Sequence, residues 1–146
     1  MSRPQPVPFT TTCRIRDECL CLHVQRAARA LARRFDEALR PVGLTNGQFS
    51  LLMSLNRPEP PSMGPVASLL AMDRTTLTAA LKPLGRRGLV RITPDPNDRR
   101  GRLLHLTAKG QEVLARAVPI WDQTHRAVEA GLRDAESLRG DLAMLC

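Results

Sequence analysis

The sequence predicts a mainly α-helical fold that carries one small β-hairpin. Apolar residues recur at helical spacing over most of the chain, and Ser, Thr and Asp residues stand where helices would begin. One cluster of turn-forming residues lies between two short β-type segments. The chain has 146 residues, which is enough for one domain with its own core.

The beginning of the chain predicts a flexible arm followed by one long helix. Residues 1–12 are polar and rich in proline, which is typical of an arm. From Arg14 to Arg40, apolar residues fall on one helical face, and Pro41 and Gly43 end the helix. We therefore separate an arm, residues 1–12, from an N-terminal helical segment, residues 13–44.

Residues 45–107 contain three predicted helix starts. Thr45 and Gln48 have the spacing of a capping box. Ser62 begins a short helix, and Asp73 caps the next helix after a tight turn at residues 71–72. This spacing is typical of a helix-turn-helix, whose second helix can enter a major groove.

Pro83 interrupts the second helix of this pair. Its ring would clash with the carbonyl group of Ala79, so we expect a kink or an early end of the helix there.

A hairpin and two further helices complete the chain. Leu89–Thr93 and Arg102–Leu106 read as β segments, and the turn-rich residues 94–101 between them predict a long basic tip. Thr107 caps the next helix, and a last helix is expected from about Ala135 to Leu145. Residues 108–146 thus form a C-terminal helical part.

Positive charge is concentrated in one segment. The net charge is +8, and the segment from Arg74 to Lys109 holds nine Lys or Arg against two acids. Charge runs are commonly solvated faces, but this one coincides with the helix-turn-helix, which favours a polyanion partner. Because no apolar stretch approaches the roughly 20 residues that span a membrane and no signal peptide is evident, we expect a cytoplasmic, nucleoid-associated protein.

The helix that begins after Asp73 and the hairpin together predict a winged helix-turn-helix that binds duplex DNA. Short hydroxyl and guanidinium side chains at the start of the helix suit base edges and phosphates. Arginines at the hairpin tip suit the minor groove. The predicted DNA-binding residues are Arg74, Thr75, Thr76, Thr78, Lys82, Arg86, Arg99, Arg100 and Arg102.

Four short motifs, in order and at these intervals, resemble the multiple antibiotic resistance regulator (MarR) family. They are Asp73–Thr78, Arg87–Val90, Asp95–Arg100 and Leu106–Gly110. The resemblance covers roughly residues 14–145. It implies a sequence-specific transcription regulator, by default a repressor. In such a regulator Arg100 reads the minor groove, and Asp98 supports the wing by orienting Arg100.

The resemblance also implies an obligate homodimer on a pseudo-palindromic operator, with N- and C-terminal dimerisation helices. The apolar residues of two terminal segments, Ile15–Leu22 and Leu138–Leu145, independently need a partner surface.

Regulators of this family release DNA when a small aromatic or lipophilic ligand binds, or when a cysteine is oxidised. The candidate residues of an effector pocket are His23, Arg26, Phe35, Phe49 and Met53. By position, Cys21 matches the reactive cysteine of the branch that senses organic hydroperoxides, and its oxidation would add volume and polarity to a helix. The chain has no Tyr, whereas that branch senses through nearby tyrosines.

Other classes of function are less well supported. A nonspecific architectural DNA-binding protein would share the charge, but would not need base-reading residues. A thiol enzyme built on Cys21 and His23 lacks a third orienting group, so we expect neither catalysis nor a cofactor. Cys19, Cys21 and His23 follow one another at every second position, so consecutive members of this set point to different faces of a helix. They cannot share one metal ion, and we therefore expect no metal site.

Overall fold

The computed structural model describes residues 5–146, which fall into two compact units whose boundary along the chain lies between Arg34 and Phe35. The elements of the described residues are α1 (Phe9–Glu18), α2 (Leu20–Leu39), a 3₁₀ turn (Arg40–Val42), α3 (Asn46–Leu55), α4 (Met63–Leu69), α5 (Arg74–Arg86), β1 (Val90–Asp95), β2 (Asp98–Leu106), α6 (Ala108–Glu129) and α7 (Ala135–Ala143). The prediction of a mainly helical fold with one hairpin is confirmed.

The N-terminal unit differs from the prediction in two ways. Residues 1–4 of the predicted arm lie outside the described residues, but Phe9–Thr12 are helical and begin α1 directly after Pro8, whose backbone is extended. The single long helix is wrong as well, since Cys19 has ψ 106° and separates α1 from α2. Neither Gly nor Pro marks that break in the sequence.

A single apolar core fills the second unit. Leu39, Leu52, Val66, Leu77, Leu84 and Leu104 have no accessible surface. The first half of α6 belongs to the same core through Leu114 and Ala117. Its Gly110 lies against the carbonyl oxygen of Leu89 so closely that a Cβ atom would overlap it. The core therefore spans residues 39–117, beyond both ends of the predicted segment 45–107.

The predicted caps of α3 and α5 are confirmed. Thr45 and Gln48 form both hydrogen bonds of the capping box, and the Asp73 carboxylate accepts from the backbone N–H of Thr76 at 2.7 Å. The turn between α4 and α5 places Ala71 at φ +51°, a left-handed conformation that is strained for a residue with a Cβ atom.

Pro83 does not end α5. The helix continues to Arg86, because Leu84 on the next position is fully buried and holds this turn against the core. Only the hydrogen bond to the Ala79 carbonyl is lost to the proline, and Ala79 lies on the exposed side.

The hairpin is longer than predicted, and its strands extend into the expected tip. Pairing runs antiparallel from Val90 with Leu106 to Pro94 with Arg102, and then shifts so that Asp95 pairs with Asp98. The extra residues of β2 form a bulge, which bends and twists the end of the hairpin. A third segment pairs with β2, since Leu104 donates its N–H to the Pro61 carbonyl at 2.8 Å.

Side-chain contacts of α6 link it to α3 and to α7. Trp121 stacks on Phe49 and on His125, with ring centroids 6.3 Å and 4.6 Å apart. The Arg139 guanidinium bonds to Glu129, and this hydrogen bond lowers the pKa of the Glu129 carboxyl.

No helix in residues 5–146 combines the length and apolar character that a membrane span requires.

Candidate nucleic-acid interface

Helix α5 buries one face and exposes the other. Leu77, Leu81 and Leu84 are essentially inaccessible, and they anchor the helix to the core. The residues on the opposite face are exposed, namely Thr75, Thr78, Ala79, Lys82 and Arg86. Ala79 is not among the predicted DNA-binding residues, because its side chain has no hydrogen-bonding group, although its position four residues after Thr75 places it on this face.

The three threonines of α5 differ in what they present to solvent. The Thr76 hydroxyl donates to the Asp73 carboxylate at 3.0 Å, and the Thr78 hydroxyl donates to the Arg74 carbonyl at 2.8 Å. Thr75 has no such intramolecular bond among the hydrogen bonds of the described residues. Two of the three hydroxyl protons predicted to reach base edges are therefore already engaged within the helix.

Asp73 holds the start of α5 in place. Hydrogen bonds from the backbone N–H and the hydroxyl of Thr76 lower the pKa of the Asp73 carboxyl below its ordinary value. The carboxylate is therefore ionised at neutral pH, and its charge also suits the positive end of the helix dipole.

The wing tip is built by two aspartates that accept backbone N–H groups. Asp98 accepts from Arg100 at 3.0 Å, and Asp95 accepts from Asn97 at 2.9 Å. Gly101 fits between the two aspartates, where a Cβ atom would lie 3.1 Å from that of Asp95. Asp98 thus supports the bulge through the main chain of Arg100, while the side chain of Arg100 is exposed.

The start of α5 and the wing meet at one cleft. Arg74, Arg100 and Arg102 line this cleft together with the two wing aspartates. Residues 62–64, at the beginning of α4, also line it. The sequence predicted these arginines on separate elements, and the structure brings three of them around the same opening. Arg99 is exposed beside them on the wing.

Three of the nine basic residues of this segment donate to backbone carbonyl groups, and Arg102 does so to the neighbouring Gly101 at 3.0 Å. Arg87 donates to the Gly43 carbonyl at 2.8 Å, and Lys109 donates to the Arg87 carbonyl at 3.0 Å. They tie the end of α5 to the preceding turn and to α6. The remaining basic side chains supply most of the exposed positive charge of this surface.

The predicted effector residues fall in both units. In the first, His23 and Arg26 line an open groove along α2 with Arg29 and Arg33. In the second, Phe35 is half-buried and Met53 is exposed, whereas Phe49 is buried in the core against Trp121. Phe49 therefore packs as a core residue.

Cys21 is exposed on α2, and the Gln25 side-chain amide donates to its sulfur at 3.1 Å. The described residues contain no group of three or more His, Cys, Asp or Glu side chains that could hold a metal ion.

Proteins of known structure share this fold. The DNA complex of the M. tuberculosis transcriptional regulator MosR is 41% identical, with a TM-score of 0.82 over 88% of this chain and 93% of that one. The transcriptional repressor CouR, bound to a 23-mer DNA duplex, is 32% identical, with a TM-score of 0.74 over 90% and 92% of the two chains.

Sequence comparisons agree with the structural ones. The chain is 33% identical to the transcriptional activatory protein BadR of Rhodopseudomonas palustris over 64% of this chain and 55% of BadR, so it spans about half the length of that relative. The profile of the MarR family matches residues 44–101, which include α3, α4, α5 and the wing tip. The chain belongs to the MarR family of transcription regulators.

Proposed function

We propose that this chain is a sequence-specific, dimeric DNA-binding regulator that binds a pseudo-palindromic operator through α5 and the wing. The observation that carries the proposal is the convergence of Arg74, Arg100 and Arg102 around one cleft, beside the exposed face of α5. Helix α5 enters the major groove, and the wing places Arg100 in the adjacent minor groove.

The cations of this surface suit two parts of the duplex. Lys82 and Arg86 lie on the exposed face of α5 after its base-reading positions, where they contact phosphates. Arg99 and Arg102 flank Arg100 on the wing and contact phosphates of the minor groove. Each phosphate contact steepens the salt dependence of binding.

Dimerisation would supply a second winged lobe for the second half-site of the operator. Helices α1 and α7 have no buried residues, yet Phe9, Ile15, Leu138 and Leu142 leave large parts of their side chains exposed. A second copy of the chain would cover these apolar side chains and set the spacing of two winged lobes.

We further propose that the regulator is a repressor that a small molecule releases. Operator-bound repressors block polymerase, and CouR has been crystallised both with DNA and with p-coumaroyl-CoA. In this chain the groove along α2 offers His23 and Arg26 to an anionic ligand.

A redox signal is the second candidate, and the exposure of Cys21 favours it. Oxidation of an exposed thiol to a sulfenic acid or mixed disulfide needs access, which Cys21 has. The change in size and polarity on α2 would then alter the dimer and its lobe spacing.

A binding assay tests these proposals together. The probe is duplex DNA from upstream of the chain's own gene, compared with random duplex of equal length at the same salt. We expect a preference of about a thousandfold or more for the upstream duplex. Equal affinity for both duplexes would instead indicate an architectural DNA-binding protein.

The same assay after mild hydroperoxide treatment separates the two signals. A redox regulator loses its affinity for the upstream duplex on oxidation and regains that affinity after reduction with a thiol. The variant Cys21→Ser should abolish this response. Cys146→Ser is the matched control, because Cys146 is also exposed. Binding that is indifferent to oxidant would direct the search to anionic aromatic ligands.

A further inference from the structure

The centre of the exposed face of α5 presents methyl groups rather than hydrogen-bond donors. Thr78 and Ala79 are adjacent there and both are exposed. The Thr78 hydroxyl already donates its proton to the Arg74 carbonyl, so its methyl group and an acceptor lone pair remain for a partner. Ala79 offers a methyl group alone.

The charged residues of the same face lie on either side of this pair. Lys82 and Arg86 follow it at helical spacing, and Arg74 lies at the wing cleft before it. The recognition helix of a helix-turn-helix contacts base edges through residues of its N-terminal part, while cations elsewhere on the interface contact phosphates, and Thr78 and Ala79 lie in the first half of α5. The two methyl groups therefore lie where base edges are read.

Among the four bases, only thymine presents an apolar group in the major groove, its C5 methyl. We infer that α5 recognises thymine by its C5 methyl group, through the side-chain methyls of Thr78 and Ala79. This inference rests on the proposed function, and it identifies the base feature that α5 reads.

The first experiment uses the full chain and a library of random duplexes. Enriched duplexes are expected to carry a thymine at a fixed position in each half-site. Resynthesis with deoxyuridine at that position removes only the methyl group, and it should weaken binding about fourfold per methyl contact. Deoxyuridine outside the half-sites should leave the affinity unchanged.

Two variants of Thr78 connect the base methyl to the protein methyl. Thr78→Val keeps a methyl group and loses the hydroxyl, so it should retain the fourfold penalty for deoxyuridine. Thr78→Ser keeps the hydroxyl and loses the methyl, so it should bind the thymine duplex more weakly and distinguish it less from the deoxyuridine duplex. Because both variants meet the same DNA, changes in duplex stiffness cancel between them.

The outcomes separate this inference from the proposed function. If no sequence is enriched, sequence-specific binding itself fails. If a sequence is enriched but deoxyuridine has no effect, or no thymine occupies the half-site, methyl recognition is overturned while specific binding stands. Methyl recognition also fails if Thr78→Val loses affinity for the thymine duplex while Thr78→Ser retains it, because the hydroxyl would then be the contact.

Discussion

The winged lobe and the terminal helices use their apolar residues in opposite ways. Every buried apolar side chain of the described residues lies between Leu39 and Ala117. Helices α1 and α7 bury none, and α2 buries only its last residue, Leu39. The terminal segments nevertheless carry large exposed side chains, such as Phe9, Leu20 and Leu145.

This difference shows where each part obtains its stability. The lobe closes a core from its own residues, so its shape does not depend on a partner. The terminal helices keep an apolar surface that a single chain leaves in water, which is unfavourable in proportion to its area. In the proposed function, the lobe therefore reads the DNA and the terminal helices pair two lobes.

The largest expected effect comes from charges on the terminal surface. The double substitution Leu138→Glu and Leu142→Glu places two carboxylates on one face of α7, and it should dissociate the dimer. Affinity for a full palindromic site should fall about a hundredfold or more, because the second half-site no longer adds to binding. Light scattering reports the mass, and titration of full and half sites reports the affinity.

Gly47→Glu is the matched control, since it adds a charge at an exposed position of α3, outside the helices that are expected to dimerise. A dimer that survives the double substitution would mean that α7 is not part of the interface.

The next effect concerns the wing. Arg100→Ala should weaken operator binding by roughly 1–3 kcal/mol and lower the salt slope by about one phosphate contact. Arg116→Ala, an exposed arginine of α6 outside the cleft, should leave both quantities unchanged. Unaltered affinity in Arg100→Ala would remove the wing from the interface.

Gly110→Ala tests whether the lobe depends on its own packing. The added Cβ would overlap the Leu89 carbonyl oxygen, which belongs to the backbone and cannot move aside cheaply. We expect the free energy of unfolding to fall by about 1–3 kcal/mol, measured by denaturant titration. Gly47→Ala meets no atom within 4 Å and should not destabilise the lobe; a similar loss in both would contradict the packing argument.

Ala71→Gly should act in the other direction. Glycine adopts the φ of +51° at this turn without strain, and the relief exceeds the entropy that glycine loses on folding. The expected gain in unfolding free energy is about 1 kcal/mol or less, with DNA affinity unchanged. A decrease in stability would show that the turn tolerates alanine without strain.

The smallest effect is a pH dependence at the start of α5. The pKa of Asp73 is lowered by its hydrogen bonds with Thr76, so the folded state favours the ionised carboxylate. Its contribution is complete above the ordinary pKa of an aspartate and is lost as pH falls through the lowered one. Wild type should therefore lose stability more steeply than Asp73→Asn as pH falls below about 4, while parallel curves would show that the cap does not titrate.

Much of the fold could be predicted from local signals. Thr45, Asp73 and Thr107 cap the helices that they were expected to cap, because a short oxygen-bearing side chain at that position satisfies free N–H groups. The break at Cys19 could not be predicted, since neither Gly nor Pro marks it. Pro83 predicted a kink or an early end of α5, but the helix continues to Arg86, because burial of Leu84 outweighs one lost hydrogen bond.

The candidate site was predicted by residue type and corrected by geometry. The sequence singled out the arginines of α5 and the wing, because an excess of cations beside a helix-turn-helix indicates a polyanion. It did not show that Thr78 bonds to its own helix or that Ala79 shares the exposed face. Side-chain hydrogen bonds of this kind depend on rotamers, which the sequence does not fix.

The sequence by itself determined the order of the elements, the helix starts and the segment that carries the positive charge, since these depend on neighbouring residues along the chain. The tertiary structure decided that Arg74, Arg100 and Arg102 share one cleft, and that Phe49 belongs to the core. Those contacts join residues far apart in the chain, and they exist only after the core has packed α5 and the hairpin together.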